Sequence, residues 1–460
     1  MTRIGIVGSG VAGIFCAIEL INQGFDGKIV MYDKGKSLDE RRCFVTSDTP
    51  CKKCKICSIT QGVGGAGSFS DSKLNFDPSG TIGGDMSELM TRDEIVEYLE
   101  KTYKIYQQFG IEEFQSKMYG LEHSKDALSI IDKIKDNERL SMVDAVTLHL
   151  GTENSRIIYG RMIKFLKEHG VDIREKVEVT KVQGNKINDE EFDKIVIAMG
   201  RSGNKLVKQI CDDNGIKYKN GEVQIGCRIE TTNEIMKKLN DNFYELKTYF
   251  TSSFGDKCRT FCVNPGGFVT IESYPYDDKK LFCANGHSFK NKKSNNTNFA
   301  ILVARKFNED MNDPLTNYVY PLTLAVNSLG NGSVIIQSLK DIKLKRRSTE
   351  ERIKELNITP TAKAYAGDLS SAMPYRTLQS ILEFIEELDK TIIPGINGDD
   401  TLLYGLEVKL CSNKVIIDKY GKSSNKNLYF IGDGCGYCRG LSTACSQGIL
   451  CATDILREVN

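Results

Sequence analysis

Three groups of residues in this chain have types and spacings that could do chemistry. The first is Gly8-Ser9-Gly10-Val11-Ala12-Gly13. Glycines at the spacing G-x-G-x-x-G let a backbone turn sharply, admit a pyrophosphate and pack a helix close to a strand. Asp33 follows twenty residues after Gly13, where a ribose-binding carboxylate is expected. The second group is Cys51, Cys54 and Cys57 at three-residue steps, with Cys43 eight residues upstream. Four thiolates could ligate an iron–sulfur cluster or a tetrahedral zinc. Against metal, Lys52, Lys53 and Lys55 would also lower thiol pKa values in a metal-free redox loop, and plain structural cysteines are a third reading. The third group is Gly432-Asp433, followed by a Gly-rich turn to Gly440 and Leu441. A carboxylate at a strand end beside a helix N-terminus suits a polyol hydroxyl.

These residues need elements to position them, and the sequence supplies them. An apolar run from Ile4 leads into the glycine turn, and IFCAIELINQG reads as a helix closed by Gly24. The run KIVMYD reads as a second strand ending in Asp33, with Lys34 next. Residues 34–85 read as a long functional loop, rich in Cys, Gly, Ser and Lys. In it, Gly64, Gly65 and Gly67 are expected to lie along a flat cofactor or its phosphates, with Ser68 beside them; a flexible hinge is the alternative. A helical insertion is expected over 91–140, and a second strong helix from an N-cap at Thr152 to a terminator at Gly170. VDIRE and KVEVTKV look like strands around a turn at Gly184, and FDKIVIAMG is a buried strand ending in Ala198-Met199-Gly200. Short alternating strands then mark a different, mixed domain. The expected division is 1–205 as the first part of a nucleotide-binding domain, 206–395 as an inserted mixed α+β substrate domain, and 396–460 as its second part. In the insertion, CRTFCVNPGGFV and ANGHSF carry the densest loop chemistry, and the charged run DIKLKRRSTEERIKEL is a solvated helix.

Composition excludes some function classes. With 62 basic and 61 acidic side chains in 460 residues, the net charge of +1 offers no electrostatic case for nucleic acid or an anionic membrane. The first strand starts at Arg3, which leaves no room for a leader, and no later apolar run reaches the length of a membrane span, so a cytoplasmic protein is expected. Fifteen cysteines in such a compartment read as metal, redox or buried apolar residues rather than a disulfide framework. Trp is absent, which removes any motif that needs an indole.

Taken together, GSGVAG with Asp33, the Ala198-Met199-Gly200 strand end and Gly432-Asp433 resemble the glutathione-reductase-type FAD fold. More narrowly, GGAGSFSDSKLN, HLGTENS, RTFCVNPGG, NGHS, TNFAILV, AGDL and GDGCGYCRGL resemble the uncharacterised FAD-dependent dehydrogenase, or NAD(P)/FAD-dependent oxidoreductase, family across nearly the whole chain. The resemblance implies a Rossmann-like α/β domain holding FAD. Gly8, Gly10 and Gly13 would meet the pyrophosphate, Asp33 the adenosine ribose, Asp433 the ribityl chain, and Val177 or Val179 the adenine. Ala12, Lys34, Gly64, Gly65, Gly67, Ser68, Ala198, Gly200, Gly432, Gly440 and Leu441 complete the expected cofactor set. Asp33 stands where Glu is more usual, and Ser72 where members often have Gly.

Flavin carries the electrons, so the protein must position a partner against the ring. Arg259 and Asn264 in RTFCVNPGG, His287 in NGHS and Arg439 are the polar groups expected nearest to it, with Arg259 suited to a carboxylate and His287 to proton transfer. Each also has a plain structural reading. Glu230, Glu407 and Lys409 are further candidates. A single G-x-G-x-x-G leaves no second Rossmann domain for NAD(P)H, although the inserted domain could bind it. The reading is an FAD-dependent oxidoreductase acting on a small organic substrate at the domain interface. A flavin monooxygenase, and a non-catalytic redox sensor or electron-transfer subunit, are the alternatives. An iron–sulfur site would make a carrier such as ferredoxin a natural partner.

Overall fold

The structure is a computed structural model that describes every residue except 44–53, 71, 144, 244–246, 277–278, 290–291, 306, 308–313, 411 and 460. Cys51 thus lies outside the described residues. The chain divides into two compact units: Met1–Met118, Leu148–Gly221 and Cys411–Asn460 form the first, and Tyr119–Thr147 and Glu222–Leu410 the second.

The first unit is built on short apolar strands without the polar alternation of a half-exposed sheet: β1 (Arg3–Val7), β2 (Lys28–Tyr32), β3 (Asp172–Arg174), β4 (Lys194–Ile197) and β5 (Leu428–Phe430). They form one parallel sheet in the order β5-β4-β1-β2-β3. Strands buried on both faces read as continuous apolar runs, and Ile195, Val196, Leu428, Tyr429 and Phe430 are fully buried. The helices are α1 (Val11–Asn22), α2 (Arg92–Gln108), α3 (Thr152–Glu168), α4 (Asn204–Asp213) and α5 (Leu441–Val459). A side chain at Gly448 of α5 would place its Cβ 2.4 Å from the Ala12 carbonyl oxygen, so that glycine is what lets α5 close on α1. Helix α2 starts at a reciprocal cap between Thr91 and Glu94.

The expected boundaries shift in physically explicable ways. The cap of α3 is Gly151, at φ 89, and Thr152 is the first helical residue. Of KVEVTKV only its last residue, Val182, is in a strand, Val182–Gln183, which pairs with Lys186–Ile187 around Gly184. Helix α4 stays with the first unit because Val207, Ile210 and Cys211 are buried in its core. Residues 119–147 go to the second unit because Leu140–Val143 pairs antiparallel with Lys247–Phe250, a partnership more than a hundred residues apart that no local pattern announces.

An eight-stranded sheet frames the second unit. Its central strand Val223–Thr232 pairs along its whole length with Asn296–Arg305 and, on its other edge, with Leu402–Leu410. RTFCVN, expected as loop, belongs to the strand Lys257–Asn264, while KLFCANGHS and GGFVTIES are the alternating strands expected of them: Lys279–His287, which His287 ends, pairs with Phe268–Tyr276. The charged run at 341–356 holds two short helices, Leu339–Lys343 and Glu350–Lys354, and is not uniformly solvated. Asp341 is buried there and accepts from Ser348 and Arg346. Among the described residues no helix is long and apolar enough to cross a membrane.

Candidate functional site

In the first unit the chain progresses outward from β1 through β2 to β3, then resumes at β4 on the other side of β1. Ligands of such sheets bind beyond the carboxyl strand ends at that reversal, and the glycine turn lies there. Gly8 adopts φ 107, and a Cβ on it would sit 2.6 Å from the Ala198 carbonyl oxygen. Only glycine lets the ends of β1 and β4 approach so closely. Gly10 is different: its backbone is extended, φ −81 and ψ −171, and a Cβ would meet nothing closer than Gly65 Cα at 3.7 Å. Gly200 at the end of β4 repeats this, with φ −79, ψ −171 and, among the described residues, no atom within 4 Å of a Cβ. Neither position needs glycine for the protein's own packing. Both keep space clear where a ligand backbone would pass.

Helix α1 has no side-chain cap and no acid in its first turn, so the protein leaves the positive end of the helix unneutralised. Asp33 closes the turn from the other side: its carboxylate accepts from the Ser9 hydroxyl at 2.8 Å, the Ser9 N–H at 3.2 Å and the Gly35 N–H at 2.8 Å. The expected glycine run does lie against the turn. Gly64 N–H donates to the Ser9 carbonyl at 2.9 Å, and a Cβ on Gly65 would stand 2.8 Å from Gly10 Cα. Gly67 packs between Val11 and Leu441, and buried Ser68 donates to the Gly65 carbonyl.

Arg41 holds this run in place, and the sequence reading missed it. Its side chain is fully buried and donates to the carbonyls of Ser58, Ile59, Val63 and Gly65 at 2.7–2.9 Å and to Ser68 Oγ at 3.0 Å. Its guanidinium lies 4.3 Å from the Phe69 ring centre. Among the described residues none of these acceptors is a carboxylate. Burial pushes Arg41 down to about 10, with Asp33 acting upward, which leaves it charged at neutral pH. A lone Arg in a Cys/Gly-rich stretch carries no periodic signal. The nearest clue was that the run needs a donor for its inward-facing carbonyls.

The far end of the site is the turn after β5. Ile431 N–H donates to Ile197 O and Gly434 N–H to Met199 O, both at 2.9 Å, which stitches this turn to the end of β4. Gly432, at φ 76, brings its would-be Cβ 3.1 Å from Ala12 Cβ. Asp433 Oδ2 meets Arg201 at 3.3 Å, while Asp433 Oδ1 is buried with no hydrogen-bond partner among the described residues. A buried acceptor without a donor calls for one, and a polyol hydroxyl supplies it. The residues present therefore fit an extended nucleotide cofactor: a clear path over Gly10 and Gly200, an open helix end, and acids at both ends.

Other expected residues make contacts of their own. Val177 N–H donates to the Asp33 carbonyl, and Val179 is buried in the core. Lys34 is half-buried at the loop's start. Gly440 N–H donates to Gly83 O, and Arg439 forms an ion pair with Asp85 at 2.8 Å, which braces the 80–85 loop against the start of α5. Cys43 and Cys54 are exposed and Cys57 half-buried. At Cys57 burial acts upward, but hydrogen bonds from Thr60 and Ile59 and the Arg41 charge hold the thiol below its ordinary value. Among the described residues no three His, Cys, Asp or Glu side chains converge as a metal site.

The remaining candidates lie in the second unit. Arg259 donates to Gln224 Oε1 at 2.6 and 2.9 Å, and His287 stacks edgewise on Phe289 at 4.5 Å. Glu407 is paired with fully buried Arg228; burial raises its carboxyl despite that partner. Glu230 accepts from Asn296 at 3.0 Å and from Tyr404 and Thr361. Lys409 caps the Phe261 ring at 3.7 Å. Cys262 sits at a β-bulge with φ 51, and its carbonyl accepts from Arg228 and Asn264. This buried polar network was not foreseen as one cluster, because its members come from four strands.

Residues 222–410 match the family described as FAD-dependent protein, C-terminal domain-like, less than half of the chain. Comparison with curated proteins finds no match. Among solved structures the chain is similar to a tetrameric form of 2-methyl-3-hydroxypyridine-5-carboxylic acid oxygenase, at 12% identity and TM-score 0.35, covering 100% of this chain and 82% of that one. It is similar to E. coli quinol fumarate reductase, at 11% identity and TM-score 0.38, covering 100% and 72%. A third is CtdE in complex with FAD and a substrate, at 10% identity and TM-score 0.33, covering 98% and 78%. Likeness of that degree carries no argument about fold or chemistry.

Proposed function

We propose that this chain is an FAD-dependent oxidoreductase whose first unit is a cofactor domain of the glutathione-reductase type, acting on a small organic molecule. The observation that carries it is the glycine turn at the sheet reversal, where Gly10 and Gly200 keep clear a path that the protein's own packing does not require. The uncapped α1, Asp33 and the unpartnered Asp433 Oδ1 support the same ligand. So does the match of residues 222–410 to an FAD-dependent family. Gly8, Gly10 and Gly13 would hold the pyrophosphate, Asp33 and Ser9 the ribose, and Asp433 the ribityl hydroxyls. When bound, the flavin supplies the two-electron chemistry. Arg259 and His287 are proposed for substrate binding and proton transfer. Arg439, tied to Asp85, is proposed as a brace rather than a reacting group.

The test is a flavin-binding titration of wild type and Gly10→Ala by fluorescence quenching, with thermal unfolding of both apoproteins. The added methyl has room in the fold, so unfolding should be unchanged while affinity falls about tenfold or more. Wild type that binds no FAD, or equal affinity in both proteins, overturns the reading. Anaerobic mixing of the loaded protein with NADH or NADPH then tests whether either is its donor, and oxygen-coupled hydroxylation of a substrate would replace the oxidoreductase reading with a monooxygenase.

A further inference from the structure

The turn after β5 carries a second cysteine pair, Cys435-Gly436-Tyr437-Cys438. Both side chains are buried, and each thiol acts electrostatically on the other. They also converge on one acceptor. Gln447 Oε1 lies 3.3 Å from Cys435 Sγ and 3.1 Å from Cys438 Sγ, and it accepts from the Gly432 N–H at 2.7 Å as well. An amide oxygen has two lone pairs, so two S–H groups cannot both be directed there. Cys435 Sγ also has Gly432 O at 2.9 Å, and Cys438 Sγ has Met86 Sδ at 3.3 Å and Thr443 O at 3.4 Å.

The turn is clamped from outside. Gly83 O accepts from the N–H groups of Arg439 and Gly440, and Tyr437 O accepts from Asp85 N–H at 2.8 Å. The pair is therefore held close by backbone geometry rather than by chance packing of two core residues. Cysteines buried elsewhere behave as inert thiols: burial pushes Cys211 and Cys283 up to about 12. At Cys435 burial also acts upward, yet donation from the Cys438 thiol and the Tyr437 backbone outweighs it and holds the thiol below its ordinary value. Cys438, burdened by burial and by its neighbour, moves up. A thiol held below its ordinary value beside a second thiol favours disulfide closure.

We propose that Cys435 and Cys438 are a reversible dithiol–disulfide pair, a second two-electron redox centre in the cofactor unit, two residues beyond Asp433. On closure both S–H bonds break and the S–S bond forms. Two electrons and two protons leave the sulfurs, and oxidised flavin takes them up to become reduced flavin; the reverse reaction reopens the disulfide. Naming flavin as the exchange partner rests on the function proposed above; the disulfide itself does not.

The experiment uses the full chain in buffers of graded dithiothreitol redox ratio, quenched in acid, alkylated and read by peptide mass. In oxidising buffer the peptide spanning 435–438 should lose two hydrogens and take no label, and in reducing buffer it should recover both labels. Exposed Cys43 and Cys54 report independently that oxidising conditions were reached. If those two oxidise while 435–438 remains a dithiol, the proposal is overturned whether or not flavin binds. Anaerobic dithionite titration of the FAD-loaded protein tests the coupling. Wild type should take up twice the reducing equivalents of Cys435→Ser or Cys438→Ser, and equal uptake overturns the exchange with flavin. A disulfide that forms in a chain unable to bind FAD upholds the pair and overturns the cofactor reading instead.

Discussion

At the scale of single residues, the cofactor unit contains two groups whose burial makes sense only through what they hold. Asp433 keeps one carboxylate oxygen buried without a donor, and an unmet acceptor of that kind costs about 1–3 kcal/mol. Its partial pairing with Arg201 at 3.3 Å is half-exposed and returns little. Asp433→Ala should therefore leave the apoprotein as stable as wild type or about 1 kcal/mol more so, while FAD affinity falls about tenfold or more. Chemical denaturation of the apoprotein beside a flavin titration reads both effects. Loss of stability together with unchanged affinity would sink the assignment. Arg41 is the opposite case, buried with every contact made. Arg41→Met strips donors from the carbonyls of Ser58, Ile59, Val63 and Gly65, so a loss of about 3 kcal/mol or more is expected in urea unfolding.

At the scale of elements, α5 is fixed at both ends, and its two ends respond to different variables. Its start is clamped by the 80–85 loop through Arg439 and Asp85. Its end is tied to β4 and to the chain before β5 by Glu458, which bonds Lys194 and Lys422, with Asp454 joining Lys422. Hydrogen bonds from Lys194 and then Lys422 hold the Glu458 carboxyl down to about 2. The folded value lies below the unfolded one, so the stabilisation is complete above about pH 4.5 and is lost as pH falls toward 2. The side chain is 31% exposed, and solvent screening limits the effect to on the order of 1 kcal/mol. Acid unfolding of Glu458→Gln should show a shallower loss over that window, and added salt should narrow the difference from wild type. The elements themselves were legible in sequence where the signal is local. The apolar runs of β1, β2 and β4 and the glycines at their ends follow from residue type, and α2 and α5 from periodicity. Several strands of the second unit were legible too, from their alternation: EVQIGCRIE falls on Val223–Thr232 and KLFCANGHS on Lys279–His287, whereas their partners across the sheet, which bring buried Arg228 and Glu407 together, carry no local signal. Cys435 and Cys438 were visible as a Cys-x-x-Cys step but were overshadowed by the cysteine-rich loop. Their shared Gln447 lies nine residues beyond Cys438, inside α5, and meets them only on folding.

At the scale of the whole molecule, the chain leaves the first unit twice and returns twice, so each unit is discontinuous in sequence and holds its own hydrophobic core. Discontinuity is also why the expected boundaries at 205 and 395 moved. A composition change marks where texture alters, whereas a unit is defined by which strands find one another, as Leu140–Val143 finds Lys247–Phe250. The proposed cofactor residues all belong to the first unit, although they span the chain from Gly8 to Leu441. A ligand that joins such distant segments must order them together, and it stabilises only the state that binds it, by about 2.7 kcal/mol at a hundredfold excess over Kd. Hydrogen exchange on the full chain with and without FAD should therefore slow in 8–13, 33–35, 62–68, 198–201 and 432–441. Protection in the strands Val223–Thr232 and Asn296–Arg305 should be unchanged, since their amides are already paired along their length. Slowing confined to one of those five segments would mean that the ligand touches one end only, and the case for a single extended cofactor spanning both acids would fall with it.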